Sequence, residues 1–330
     1  VLNYLSFSGI DGLIPVCVPK NSDIGQLKPA DIYKENMHKP CLAQHAAFIV
    51  QQDKGNAEWL RNEFYRLQYF VDGYVNRYRD RTTGLYFWQN DVMIGVDNDP
   101  CTFFRPDRSS ASIFLNCMMY KELKAMEYLS DRLDYKEIAG EYEKEAEKLK
   151  TAIQENCWDE RDGFFYSVDL NLRAISSNKE TYHGGAPRSW NCLIQRIDVW
   201  SGFLAMWAGI ATPEQAKRMV EEHYDNKNTF NAPYGIRTLS KMEKMYSLKA
   251  SGNPSNWLGP IWGVSNYLVW RGLVKYGYKK EAKELATKTI LLFGQDYRRT
   301  GSLHEYYQPS NGLPILNPGF QDWNMLVINM

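Results

Sequence analysis

Residues 109–156 read SSASIFLNCMMYKELKAMEYLSDRLDYKEIAGEYEKEAEKLKTAIQEN, and two different helices are written in them. From 109 to 130 apolar side chains (Ile113, Phe114, Leu115, Met118, Leu123, Met126, Leu129) occupy much of the circumference, as in a helix packed on both sides. From 136 to 156 the pattern changes. Tyr142, Ala146, Leu149 and Ile153 recur at three- and four-residue steps among Glu and Lys, so one face is wet. An inner helix followed by an outer one is the repeating unit of an α/α toroid.

The alternation continues on both sides of this pair. Residues 199–210 are apolar again (Trp200, Phe203, Leu204, Met206, Trp207, Ile210). Thr212-Pro213-Glu214-Gln215 then supplies an N-cap, a Pro at the first helical position and a capping box, opening a polar-faced helix to about Tyr224. A third inner pattern spans 263–276 (Val264, Tyr267, Leu268, Val269, Leu273). Its outer partner runs from Lys279 to Phe293, with Ala282, Leu285, Ala286, Ile290 and Phe293 inward. Helices are also expected near 40–53, from 57 to 78 (Trp59, Leu60, Phe64, Leu67, Phe70, Val71, Tyr74, Val75) and from about 320. The connections 80–108, 157–192, 226–262 and 296–319 are long and rich in Gly, Pro and Trp; loops of that length are usually functional. Asp80 to Tyr86 and Glu160 to Tyr166 read as tight turns feeding short strands. The expectation is an all-α toroid with short β-hairpins in its long loops, and one domain over 1–330, because no composition shift marks a boundary.

Composition narrows the partners. With 39 Lys plus Arg and 39 Asp plus Glu, no net field selects nucleic acid or an anionic membrane surface, and no run of apolar residues is long enough to span a membrane. The 22 Tyr and 10 Trp serve either as core with polar tips or as flat walls for a sugar, whose C–H faces stack on rings. Cys17, Cys41, Cys101, Cys117, Cys157 and Cys192 form no C-x-x-C pair and the five His are scattered, which argues against structural zinc. The even count permits disulfides without requiring them, and the compartment is undecided. Because the chain opens at Val1 and stops at Met330 soon after the apolar Trp323 to Ile328, we expect both ends to be cut or unobserved.

Phosphate loops, nucleophile elbows and metal-protease helices are absent, which leaves carboxylates set among aromatics. Between Tyr86 and Pro100, Asp91, Asp97 and Asp99 follow Trp88 and Asn90, with Gly95 and Pro100 shaping the backbone. A glycosidase acid must hold its proton near neutral pH, which requires partial withdrawal from water or a repelling neighbour; Asp97, beside Val96 and Asn98, suits that. The same letters also fit an Asx-type turn capping the next helix, or calcium ligation by Asp91, Asp97 and Asp99. In Ser302 to Gly312, Glu305 stands between His304 and Tyr306-Tyr307; it is either a held base that activates water or a solvated loop residue. Trp257 and Trp262 suit sugar stacking or packing equally, and Arg188 with Trp190 offers a cation and a ring, though Arg188 reads as readily as a surface charge.

Taken in order, these residues resemble glycoside hydrolase family 63 and its bacterial relatives, which include mannosylglycerate hydrolase and bacterial α-glucosidases, with a more distant likeness to trehalases. The resemblance runs through Asp11-Gly12-Leu13-Ile14-Pro15, Gly95-Val96-Asp97-Asn98-Asp99-Pro100, Gly259-Pro260-Ile261-Trp262, Asn266-Tyr267-Leu268, Gly272-Leu273, Tyr276-Gly277, Glu305-Tyr306-Tyr307, Pro309, Gly312, Phe320 and Trp323. It implies an (α/α)6 barrel, here lacking its first helices, that cleaves an α-linked sugar with inversion. It gives Asp97 the role of general acid and Glu305 that of general base, about 6.5–9.5 Å apart so that a water fits between. Trp88, Asn90, Asp91, Asn98, Arg188, Trp190, Trp257, Trp262, Tyr306, Tyr307 and Trp323 are the expected substrate contacts, the substrate being a small oligosaccharide or glycoside. No cofactor is required, and a structural calcium is allowed. Three departures touch substrate identity: Met93-Ile94 where the family often has Glu-Ser, Leu258 where it has Arg, and Gln308 where Asp or Asn is usual. Arg188, Arg196 and Asp91 are candidates to compensate. Two alternatives share the barrel. A sugar epimerase or isomerase would need paired His in the cavity, yet His183, His223 and His304 lie on dissimilar segments; a non-catalytic carbohydrate-binding relative would fit the loss at Leu258 and Met93.

Overall fold

A computed structural model of the chain describes every residue except 10, 17, 19–35, 173–189 and 250–253. In chain order its helices are α1 (Leu2–Leu5), α2 (Leu42–Gln52), α3 (Phe64–Arg77), α4 (Asp91–Ile94), α5 (Ile113–Arg132), α6 (Lys136–Cys157), α7 (Leu204–Ala208), α8 (Pro213–Arg218), α9 (Gly263–Lys275) and α10 (Lys279–Thr300). Ten short strands lie among them: β1 (Ser110–Ala111), β2 (Trp158–Asp159), β3 (Phe164–Phe165), β4 (Val168–Asp169), β5 (Leu193–Ile194), β6 (Asn231–Ala232), β7 (Gly235–Ile236), β8 (Ile261–Trp262), β9 (His304–Tyr307) and β10 (Pro314–Pro318). The architecture is helix-rich. Among the described residues no helix is long and apolar enough to cross a membrane. The chain divides into two compact units, one of Val1–Gly95, Phe104–Asn156 and Val168–Leu193, the other of Val96–Phe103, Cys157–Ser167 and Ile194–Met330.

In the first unit α5 is the inner helix that its sequence describes. Leu115, Cys117, Met119, Leu123, Met126 and Leu129 are all fully buried, and each of the larger side chains contributes about 1.5–3 kcal/mol by burial. The helix also carries two polar side chains into the core. Glu122 accepts from the first-turn N–H groups of Ala43 (2.8 Å) and Gln44 (3.2 Å) and from the Gln44 side chain (3.1 Å), so it serves donors that the start of α2 leaves without partners. Asn116 grips Tyr86 of the preceding connection through both backbone groups, accepting its N–H at 2.8 Å and donating to its C=O at 2.9 Å. The segment 57–78 is not one α-helix: a 3-10 stretch over Glu58–Glu63 leads into α3.

The second unit repeats that arrangement around α9, which packs against both α7 and α10. Gly272 permits the approach to α7, because a Cβ there would stand 3.1 Å from the Met206 Cβ and from the Trp207 N. Buried Asn266 grips Ile236 through both backbone groups, at 2.8 Å and 3.3 Å, as Asn116 grips Tyr86. The capping box at Thr212 and Gln215 is present, and α8 runs on into a π-turn over Met219–Tyr224. The expected helix over 199–210 is shorter, a 3-10 stretch (Trp200–Phe203) followed by five α-helical residues that end at left-handed Gly209. Helix α10 extends two turns beyond Phe293. Its inward stripe is Ala282, Leu285, Thr289, Leu292, Phe293 and Asp296, so Ile290, expected inward, is 46% exposed: it lies about 100° around the helix from Thr289. The apparent long loops are in part sheet. β2 pairs with β3, β6 with β7, and β8, β9 and β10 form a three-stranded antiparallel sheet with β9 in the middle.

Candidate active site

Asp97 and Glu305 belong to the same compact unit. Asp97 follows Gly95, whose φ of +63° ends α4 in the left-handed region, and precedes Asn98, whose φ of +52° lies there too. Two such residues around one aspartate force a sharp reversal that only Gly and Asn adopt readily. The Asx turn does form, but Asp99 makes it: its Oδ1 accepts from Cys101 N–H at 2.8 Å. Asp97, half-buried, has no hydrogen-bond or ion-pair partner among the described residues. Of Asp91, Asp97 and Asp99, Asp97 is the one with no partner among the described residues.

Glu305 sits in β9, the central strand, and is 5% exposed. Ser255 Oγ donates to its Oε1 at 2.6 Å, and Asn317 Nδ2 donates to its Oε2. The strand is clamped on either side. Buried Asp296 of α10 accepts from the Tyr307 hydroxyl at 2.9 Å and pairs with His304 Nδ1 at 2.8 Å. The Tyr306 hydroxyl donates to Pro254 C=O at 2.5 Å; burial first, then the Glu305 charge, push that phenol up to about 12, so it remains a donor.

One short segment, 254–257, touches both acidic stretches. Trp257 N–H donates to Asn98 Oδ1 at 2.8 Å and Asn98 Nδ2 donates to Asn256 Oδ1 at 3.1 Å, while Ser255 and Pro254 hold Glu305 and Tyr306. Asn256 is itself fixed, donating to Ser247 C=O at 2.9 Å and accepting on its own C=O from Trp262 Nε1 at 2.8 Å. Asn98, the neighbour of Asp97, and Glu305, more than 200 residues apart in sequence, are thus both hydrogen-bonded to one short segment.

The expected substrate contacts divide. Asn98 is next to Asp97 and spent on the 254–257 segment. Trp257 and Trp262 give their faces to each other, with ring centroids 3.7 Å apart and planes 14° from parallel, inside a stack that Trp200 and Tyr306 continue. Trp323 meets both edge-on. Burial, with exposures of 2% and 0%, makes Trp257 and Trp262 packing residues in this geometry. Tyr306 and Tyr307 have hydroxyls committed within the protein. Trp88, Asn90, Asp91 and Trp190 belong to the other unit. There Trp88 is buried near Phe114, Asn90 caps α4 by accepting from Met93 N–H at 3.3 Å, Asp91 is the first residue of that helix, and Trp190 is 52% exposed. Arg188 and His183 lie outside the described residues. Arg196 is ion-paired to Asp159 (2.5 Å) and Asp162 (3.2 Å). His223 and His304 are engaged separately, one with Asp162 C=O and the Phe164 ring, the other with Asp296.

Among the described residues no three His, Cys, Asp or Glu gather as a metal ion would need. Cys41, Cys101, Cys117, Cys157 and Cys192 form no disulfide among the described residues, and Cys17 lies outside them. The sequence reading missed Ser255, Asn317 and Asp296. Nothing local marks them, since each acquires its meaning from a strand pairing or a turn that brings it to β9.

The model of the mannosylglycerate hydrolase MGH1-like glycoside hydrolase domain matches residues 3–321 of this chain. Among solved structures, the family 63 mannosylglycerate hydrolase of Thermus thermophilus with glucose superposes with a TM-score of 0.73 at 18% identity, over 100% of this chain and 86% of that one. Among curated proteins, the cytosolic neutral trehalase of Kluyveromyces lactis is 28% identical over 61% of this chain and 25% of its own length. The probable mannosyl-oligosaccharide glucosidase of Schizosaccharomyces pombe is 24% identical over 88% of this chain and 34% of its own. The chain thus spans a quarter to a third of these curated relatives. A family model that covers nearly the whole chain defines a glycoside hydrolase domain. Within that class, this chain belongs to the MGH1-like glycoside hydrolase family.

Proposed function

We propose that the chain is the catalytic domain of an inverting glycoside hydrolase that removes an α-linked glucose or mannose from a small glycoside, on an (α/α)6 toroid. The family match and the names of the relatives support the substrate class. The observation that carries the mechanism is the 254–257 segment, which binds Asn98 on one side and Glu305 on the other.

In this mechanism Asp97 gives its proton to the glycosidic oxygen as the anomeric C–O bond breaks. Glu305 takes a proton from a water whose oxygen forms the new bond on the opposite face, and the sugar leaves with inverted configuration. The hydrogen bonds to both oxygens of Glu305 hold its carboxylate in one orientation, while each oxygen keeps a second lone pair for water. Asp97, without a partner among its described neighbours, is available to the leaving group.

The test is a panel of α-glucosides, α-mannosides and α-galactosides, with the anomer of the first product followed by proton NMR. A β-anomer from an α-glycoside is expected; an α-anomer first would overturn inversion. Asp97→Asn and Glu305→Gln should each lower turnover by about 10²–10⁴-fold or more, with the fold intact by circular dichroism. Near-wild-type activity in either variant would remove that residue from the mechanism.

A further inference from the structure

β10 pairs with β9 in two registers. Pro314 lies opposite Tyr307, whereas Leu316 lies opposite Tyr306 and Pro318 opposite His304, with the irregularity between Pro314 and Leu316. In the register set by Pro314, the residue across from Glu305 would be Leu316. In the register that follows, it is Asn317. A one-residue slip turns later side chains to the other face of a strand, and bulges are a device for re-aiming them. Here the slip removes an isobutyl group from beside a buried carboxylate and puts a carboxamide there. The result is a bond: Asn317 Nδ2 donates to Glu305 Oε2, while Ser255 Oγ donates to Oε1 at 2.6 Å.

The backbone at Asn317 agrees with this. Its φ of +55° is left-handed, a region in which Asn is tolerated and a branched apolar residue is strained. A strand interior ordinarily has no use for such a residue. Register, backbone conformation and side-chain chemistry therefore converge on one position.

We propose that Asn317 is a positioning residue for the general base, delivered by the β10 irregularity, which fixes the rotation of the Glu305 carboxylate. The proposal rests on Glu305 being that base. Among the described neighbours, Ser255 is neutral, the Tyr306 hydroxyl is occupied with Pro254 C=O, and His304 is tied to Asp296 on α10.

The experiment compares the acid limb of the kcat/KM profile for wild type, Asn317→Asp and Asn317→Gly, using the α-glucoside or α-mannoside that the panel shows to be hydrolysed. Both variants keep a residue that tolerates left-handed φ. Asn317→Asp puts a like charge beside the base and should move the acid limb upward by about one pH unit. Asn317→Gly removes the donor, and should move the same limb upward by less and lower kcat by roughly tenfold at unchanged KM through lost orientation. The alkaline limb should stay in place in both. A purely structural role would lower activity evenly at all pH values, and an unmoved acid limb in Asn317→Gly, or in a folded Asn317→Asp, overturns the proposal. Glu305→Gln assayed alongside separates the two ideas: if it stays active, the base assignment has failed, and if it is inactive while the limbs do not move, only the role of Asn317 has failed.

Discussion

Among single residues, the aspartates of the 91–99 stretch show how a side chain's partners assign its work. Asp99 spends an oxygen on Cys101 N–H, Asp91 begins a helix, and only Asp97 lacks a described partner. The letters pointed to Asp97 as the acid but left a turn or calcium ligation open for the same stretch. Glu122 makes the opposite case, a buried carboxyl with a purely structural use. Burial pushes it up to about 7, against the N–H bonds from Ala43 and Gln44, which pull it down. Between its unfolded value near 4.5 and about 7 the folded state holds more protons than the unfolded state, so this group's contribution to stability falls as pH rises through that window. We expect the urea midpoint of wild type, measured relative to Glu122→Gln, to decline from about pH 5 to about pH 8. A constant difference between the two proteins would show that Glu122 does not titrate in that range. Burial also pushes the Cys41 thiol up to about 12, which leaves it unreactive at neutral pH.

Among the elements, the inner helices α5 and α9 share a device that hydropathy does not reveal. Each carries a buried Asn that clasps both backbone groups of a residue 30 positions earlier, Tyr86 for Asn116 and Ile236 for Asn266, and that also donates to the carbonyl four residues back at 2.8 Å. Truncation would leave a buried N–H and C=O unpaired. Asn116→Ala and Asn266→Ala should each destabilise by about 1–3 kcal/mol, measured by denaturant titration, and a loss under about 0.5 kcal/mol would mean that water replaces the amide. The helices were legible because apolar period and capping act locally: α5, α6, α8 and α9 lie close to where the sequence put them, and the box at Thr212 is intact. The sheet of β8, β9 and β10 was not legible. Its strands are short, and the register that brings Asn317 to Glu305 is a property of the pair rather than of either strand.

Across the whole molecule, equal numbers of acidic and basic residues suit a neutral substrate. Binding of an uncharged glycoside should then respond little to ionic strength, because no long-range field steers it. KM for the panel substrate is expected to be nearly constant from low to high salt; a steep rise would point to a charged substrate held by cations. The aromatic richness, which fitted either a core or a sugar-lined cleft, is in large part structural. Trp200, Trp257, Trp262 and Tyr306 stack in succession. Trp257→Ala should cost about 3–5 kcal/mol of stability and should lower activity indirectly, through a loosened hold on Asn98, with kcat falling more than KM rises.

The alternation of inner and outer helices, the caps that start them and the pair of acids that the motifs single out all follow from the order of residues, because periodicity, capping and motif spacing are written within short stretches of chain. Which aspartate is left without a structural task, that the tryptophans face each other, and which residues hold Glu305 were settled by folding in three dimensions. Those outcomes depend on strand register and on turns that join segments far apart in sequence, and a one-residue shift in pairing is enough to exchange Leu316 for Asn317.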